Sequence, residues 1–164
     1  MWVRFQLFGL SGKLISGFAS TLNEVAAIMA EANNPWWIIG SAAVALHLER
    51  DVGVNDIDIL LSVDDARAIR TGLGIAAEKP KPHPLFHSIE YFSWDYPFLP
   101  IEFMADFSVR VGGAWEKVCC KTRQSFDIAG SVVYAPNLDE LEMLLALFAR
   151  PKDMRRLALL KEKG

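Results

Sequence analysis

The chain has 164 residues, of which 52% are hydrophobic and 23% are charged, and its formal net charge is −3. This length favours one domain with a substantial core, and the composition argues against a disordered chain. The slightly negative charge argues against the broad basic surface that tight, non-specific nucleic-acid binding requires.

The cysteine content and the hydropathy pattern predict the cellular compartment of the chain. The two cysteines, Cys119 and Cys120, are neighbours, and adjacent cysteines rarely form a structural bridge. No apolar run is long enough to span a membrane, and the N-terminal stretch lacks the pattern of a secretory signal. The sequence therefore predicts a reduced, cytoplasmic protein without a membrane segment.

The first half of the chain alternates between helical and strand-like apolar patterns. We expect Ser41 to cap the second helix, and Asp64 and Asp65 to cap the third. The predicted elements are a helix over 14–32, a strand over 36–39, a helix over 42–48, a loop over 50–55, a strand over 56–62 and a helix to about residue 73.

The second half begins with a proline- and lysine-rich loop over 78–84 and continues with several strands and two helices. The strands are predicted over 85–94, 98–107, 115–121 and 131–134, and the helices over 139–149 and 152–163. This order predicts an α/β or α+β fold, a mixed sheet flanked by helices. We expect a single domain over 1–164, with an N-terminal helical segment (1–34) and a C-terminal helical pair (137–164).

Gly40 and Ser41 form the first feature with chemical meaning. A glycine ahead of a helix lets the backbone approach a ligand closely, and the free N–H groups of a helix N-terminus bind phosphate. The hydroxyl of Ser41 adds a donor. The same Gly-Ser pair is also common as an ordinary turn with a helix cap, so it needs support from elsewhere in the chain.

Asp56 and Asp58 form the second and strongest feature. Side chains alternate along a strand, so both carboxylates point to one face of the predicted strand. Residues 59–61 are apolar and look buried on both faces, and buried carboxylates are rare unless they are paired or bound to a metal. Oxygen-only ligands suit Mg²⁺ or Mn²⁺, so the pair predicts a metal site.

Glu102 forms the third feature, as a lone acid in an apolar strand. If this strand neighbours the one that carries Asp56 and Asp58, Glu102 completes a cluster of three carboxylates. Such a cluster holds two divalent ions for phosphoryl or nucleotidyl displacement. Asp106 shares the face of Glu102 only if the strand stays regular that far.

These features together resemble the nucleotidyltransferase (polymerase-beta-like) superfamily. An apolar strand ending in Gly40-Ser41, a helix, the Asp56-Ile57-Asp58-Ile59 stretch and a later lone acid, Glu102, follow its motif order. The Arg150-Pro151-Lys152-Asp153 segment between the last two helices is similar to small stand-alone members, including those related to AbiEii-type toxins. The resemblance covers roughly residues 35–160.

The resemblance implies an enzyme that moves an NMP group from an NTP to a hydroxyl acceptor. It implies catalytic and metal-binding roles for Asp56, Asp58 and Glu102 with Mg²⁺ or Mn²⁺. It also implies a nucleotide-binding set, with ATP as one candidate nucleotide: Gly40, Ser41, Arg50 and Lys152. The helix before Arg150 has leucines at positions 144, 145 and 147, where relatives often carry a lysine facing the site.

Several alternatives stay open at this level. The acceptor is a small molecule, a tRNA or a protein, in an antibiotic-modification or toxin–antitoxin setting, and a homo-oligomer is compatible with the sequence. The roles of Lys152 and Asp106 are not fixed by the pattern. The rival hypothesis is a catalytically inactive protein of the same fold that binds a partner or regulates it. A metal-dependent phosphatase or nuclease fits less well, because no histidine lies near the acids.

Overall fold

The computed structural model describes residues 12–163, and within them the chain forms five helices and nine strands. The first eleven residues of the predicted N-terminal segment lie outside the described residues. The helices are α1 (Gly12–Met29), α2 (Gly40–Leu48), α3 (Val63–Gly72), α4 (Leu138–Phe148) and α5 (Pro151–Lys163). The strands are β1 (Trp37–Ile39), β2 (Ile57–Leu61), β3 (Phe86–His87), β4 (Glu90–Trp94), β5 (Ile101–Ala105), β6 (Ser108–Val111), β7 (Ala114–Lys117), β8 (Gln124–Ile128) and β9 (Ser131–Ala135).

A four-stranded mixed sheet with the order β1-β2-β5-β4 forms the centre of the molecule. Strands β2 and β5 are parallel, whereas β1 and β4 are antiparallel to their neighbours. A three-stranded sheet, β3-β6-β7, and a two-stranded hairpin, β8-β9, complete the strands. The parallel pairing of β2 with β5 matters most, because it aligns the two strands that carry the predicted acids.

Alternation along the central strands sends apolar side chains to both faces of the sheet. On one face, Ile59 of β2 and Phe103 of β5 join the main core with residues of α1, α2 and α3. On the other face, Leu60 and Met104 pack with Phe148 of α4 and with residues of β6 in a second, smaller cluster. The central strands are therefore buried on both sides, as the run of apolar residues after Asp58 predicts.

The predicted fold class is confirmed. The structure is a mixed sheet flanked by helices, and it ends in a helical pair, α4 and α5, that packs together. Among residues 12–163, no helix combines the length and the apolar character needed to cross a membrane.

The predicted elements differ from the structure in several places. The strand predicted over 85–94 is two strands in different sheets, because β3 pairs with β6 whereas β4 pairs with β5. Helix α1 ends at Met29, three residues before the predicted end. Strands β6 and β8 have no counterpart among the predicted elements. Strand β8 forms a hairpin with β9 through a tight turn at Ala129 and Gly130, both of which have positive φ.

The predicted helix caps also need correction. Ile39, in extended conformation, is the N-cap of α2, so Ser41 lies inside the first turn of the helix and not at its cap. Ser62 is the N-cap of α3 and accepts a hydrogen bond from the backbone N–H of Asp65. The Asp65 carboxylate instead accepts hydrogen bonds from the loop that follows α1.

Candidate functional site

The parallel pairing of β2 and β5 brings the three predicted acids together. Asp58 lies directly opposite Glu102 in the strand register, so both side chains leave the same face of the sheet. Asp56 immediately precedes β2 and completes the group. One carboxylate oxygen of each residue lies within 4.8 Å of the others, and all three side chains are half-buried.

Gly40 supports this cluster at the start of α2. Its φ of +67° is in the left-handed region, and a Cβ built on it would lie 2.8 Å from Oδ2 of Asp58. Both the backbone conformation and the close contact require glycine at this position. The N-terminus of α2 is therefore packed directly against the carboxylate of Asp58.

The electrostatics of the cluster are unfavourable without a cation. Burial raises the pKa of Asp58 to about 8, with further contributions from the negative charges of Asp56 and Glu102, and the charge of Lys152 only partly opposes them. Three carboxylates that repel one another and offer only oxygen ligands match the donor set that Mg²⁺ or Mn²⁺ prefers. The residues present therefore fit a divalent metal ion.

Ser41 and Lys152, two of the predicted nucleotide-binding residues, also lie near the acids. Ser41 is buried in the first turn of α2, directly after Gly40. Lys152 lies in the first turn of α5, and its positive charge partly opposes the rise in the pKa of Asp58. The N-terminal ends of α2 and α5 thus both approach the cluster.

Two other residues from the sequence analysis lie elsewhere. Arg50 is exposed in the loop beyond the far end of α2, and within the described part of the chain no contact ties it to the acids. Asp106 follows the last residue of β5 with φ of +51° and pairs with Lys117. Because the strand ends at Ala105, Asp106 does not share the face of Glu102.

Sequence reasoning missed two neighbours of the acids, Tyr91 and Arg156. Tyr91 lies on β4, which pairs with the strand of Glu102. Burial and the charge of Glu102 raise the pKa of the Tyr91 phenol. Burial lowers the pKa of Arg156, and the negative charges of Asp153 and, less strongly, of Asp58 and Asp56 oppose that shift. Arg156 follows Lys152 by four residues, and this spacing on a helix is the signal that could have identified it.

Comparison with family models gives no match, and comparison with curated proteins gives none either. Solved structures do share the fold. A proposed nucleotidyltransferase from Thermotoga maritima matches with a TM-score of 0.70 and 17% identity, over 91% of this chain and 95% of its own. The antibiotic-resistance factor ANT(2'')-Ia matches with a TM-score of 0.57 and 17% identity, over 91% of this chain and 85% of its own.

A crystal structure of ANT(2'')-Ia in complex with adenylyl-2''-tobramycin also matches, with a TM-score of 0.54 and 18% identity, over 89% of each chain. At these levels of identity the likeness concerns the fold. The chain has the fold of the nucleotidyltransferases, as the resemblance in its sequence predicts.

Proposed function

We propose that this chain, which has the nucleotidyltransferase fold, is a metal-dependent enzyme that moves an NMP group from an NTP to a hydroxyl acceptor. The observation that carries the proposal is the cluster of Asp56, Asp58 and Glu102, whose oxygens lie within 4.8 Å of one another. Carboxylates held this close at a half-buried site repel one another, and a cation bound between them would relieve that repulsion.

In this proposal, Asp56 and Asp58 hold one divalent ion and Glu102 shares a second. When bound, such ions neutralise the charge of the polyphosphate and stabilise the charge that develops during displacement. Gly40 and Ser41 contribute backbone N–H groups and a hydroxyl that bind the β- and γ-phosphates at the N-terminus of α2. The protein thus acts mainly by positioning groups around the nucleotide.

The transfer itself is an in-line displacement at the α-phosphorus. The acceptor hydroxyl gives its proton to Glu102 while its oxygen bonds to phosphorus, and the bond from phosphorus to the β-phosphate oxygen breaks. Pyrophosphate leaves, and the NMP group stays on the acceptor oxygen. Lys152, in the first turn of α5, would supply positive charge to the polyphosphate. The role of Arg50 in nucleotide binding stays a prediction.

The nature of the acceptor is the least constrained part of the proposal. The ANT(2'')-Ia structure contains an adenylylated aminoglycoside, so aminoglycosides are the first acceptors to screen. The tRNA and protein acceptors that the sequence leaves open belong in the same screen, and each of the four NTPs needs to be tried.

The direct test measures metal-dependent transfer of label from α-³²P-labelled NTPs, together with pyrophosphate release. We expect transfer with the wild-type chain and none with Asp58→Asn. Asp64→Asn is the matched control, because Asp64 is an exposed acid on α3 outside the cluster. Metal-dependent NTP binding without transfer to any acceptor would favour the inactive, partner-binding alternative. Wild-type activity in Asp58→Asn would contradict the proposed site.

A further inference from the structure

The three-stranded sheet β3-β6-β7 is covered on one face only. Phe86 and Val109 lie directly opposite each other in its register, and both pack with Phe148 in the second, smaller cluster. Because side chains alternate along each strand, the residues next to them point to the other face. We call this the open face of the sheet, and its residues are His87, Ser108, Arg110, Trp115 and Lys117.

An indole ring stands on this open face. Trp115 is 49% exposed, and its ring centre lies 5.9 Å from Cζ of Arg110 and 5.9 Å from the ring centre of His87. Both neighbours are exposed as well, so these contacts bury little of the indole and add little to the core. A large aromatic ring is thus held in water beside a cation, where a ligand has access to it.

The charged side chains of the open face are all basic. Lys117 forms an ion pair with Asp106, the residue that follows β5. Arg110 donates a hydrogen bond from Nε to the backbone oxygen of Gly113 at 3.4 Å, and it forms no ion pair with a carboxylate of residues 12–163. The other N–H donors of this guanidinium are therefore available to an anion.

An accessible indole beside an arginine without an acidic partner fits one strand of nucleic acid. An unpaired base of any identity stacks on an exposed aromatic ring, and neighbouring cations bind the phosphates. A duplex keeps its bases stacked inside, so it would use the charges alone. The formal net charge of −3 argues against a broad basic surface, and a site of this size depends on the stacked base more than on charge.

We propose that the open face of the β3-β6-β7 sheet is a docking surface for a single strand of nucleic acid. One base stacks on Trp115, and Arg110 and Lys117 bind the adjoining phosphates. The inference goes beyond the proposed function, because docking needs no NTP at the acid cluster. Only residues 106 and 107 separate β5 from β6, so the surface is joined directly to the strand that carries Glu102.

The test measures binding of fluorescein-labelled oligo(U) and oligo(dT), each of about twelve nucleotides, to the full chain by fluorescence anisotropy at several salt concentrations. Binding of either single strand supports the surface, and the ratio of the two affinities shows whether the 2′-hydroxyl is recognised. A duplex of the same length is expected to bind more weakly, because its bases are not available for stacking.

Two substitutions separate stacking from charge. Trp115→Ala is expected to weaken binding at least about fivefold at every salt concentration, because one stacked base is lost. Trp115→Phe keeps a ring and is expected to retain most of the affinity. Arg110→Gln is expected to reduce the slope of log affinity against log salt by about 0.7, because one phosphate fewer is neutralised.

The matched controls are Met143→Ala, which removes an exposed apolar side chain of α4, and Arg155→Gln, which removes an exposed charge of α5. Both are expected to bind like the wild-type chain. A wild-type chain that binds neither strand, wild-type affinity in Trp115→Ala, or an equal change of slope in Arg155→Gln and Arg110→Gln would each overturn the proposal. If Trp115→Ala does not fold, as circular dichroism would show, the slope of Arg110→Gln decides.

Discussion

Two carboxylates of this chain, Asp58 and Asp65, lie only seven residues apart in largely buried surroundings and meet opposite environments. Asp65 accepts hydrogen bonds from the backbone N–H groups of Asn33 and Asn34, at 2.8 and 2.9 Å, and from the hydroxyl of Ser62 at 2.9 Å. These donors lower its pKa. Asp58 faces two other acids, and its pKa is raised to about 8.

The difference separates an acid that stabilises the fold from an acid that needs a ligand. The donors around Asp65 join α3 to the loop after α1, so its charge is satisfied by the chain itself. The negative charge of Asp58 has only the partial support of Lys152, so a cation from outside would stabilise it. A set of substitutions makes this contrast measurable, beginning with the one that we expect to have the largest effect.

Gly40→Ala is expected to abolish metal-dependent nucleotide binding. The new Cβ would lie 2.8 Å from Oδ2 of Asp58 and displace that carboxylate, in addition to the cost of a positive φ, which is about 1–2 kcal/mol. Calorimetric titration with Mg²⁺ and an ATP analogue measures the loss.

Gly74→Ala is the matched control for Gly40→Ala. Gly74 has a similar φ of +70°, but apart from its chain neighbours no heavy atom lies within 4 Å of the position that a Cβ would occupy. We expect both variants to bear the cost of the positive φ and only Gly40→Ala to lose binding. Equal nucleotide binding in the two variants would show that the contact with Asp58 is unimportant.

Asp65→Asn is expected to lower the free energy of unfolding by about 1–3 kcal/mol near pH 7, since it weakens a buried acceptor of several hydrogen bonds. The pKa of Asp65 is lowered on folding, so its contribution is present above the usual value of 3.8 and is lost as the pH falls through the folded-state value. Urea unfolding at pH 7 and at pH 3 checks both parts. A destabilisation that is as large at pH 3 as at pH 7 would contradict the role of the charge.

When divalent metals are removed with EDTA, Asp58→Asn is expected to gain stability relative to the wild-type chain as the pH rises. This trend is the opposite of the one expected for Asp65→Asn. The pKa of Asp58 is raised on folding, so the wild-type chain loses stability as the pH rises from about 4 to about 8. The asparagine variant lacks this slope and is therefore more stable relative to the wild type at pH 8 than at pH 5. Thermal unfolding across this range measures the difference, and parallel profiles for the two proteins would refute the raised pKa.

The sequence predicts the parts of this fold that depend on local pattern. The apolar strand before Gly40, the alternation from Asp56 to Ile59 and the helical periodicity near both ends lead to the correct fold class. The division of residues 85–94 between two sheets was not predictable, because the same alternation suits either pairing partner. Strand β8 was missed because its turn, Ala129-Gly130, lacks the usual asparagine or aspartate.

The candidate site, like the fold, was predictable only where it depends on local sequence pattern. Asp56 and Asp58 stand out because two acids two residues apart share a strand face, and the structure adds that Glu102 lies opposite Asp58. The support from α5 depends on how that helix packs against the rest of the chain, which no local pattern specifies. The spacing of Lys152 and Arg156 places both on one side of α5, but only the packing of that helix decides which groups they face.

The most direct test of the central claim is Mn²⁺ binding followed by electron paramagnetic resonance of the free ion, in the wild-type chain, Asp58→Asn and Asp64→Asn. Our account predicts that the wild-type chain and Asp64→Asn bind Mn²⁺ with equal affinity. Asp58→Asn is predicted to bind it at least about tenfold more weakly, because a charged oxygen ligand is lost. Wild-type affinity for Mn²⁺ in Asp58→Asn would contradict the assignment of a metal centre to these three acids.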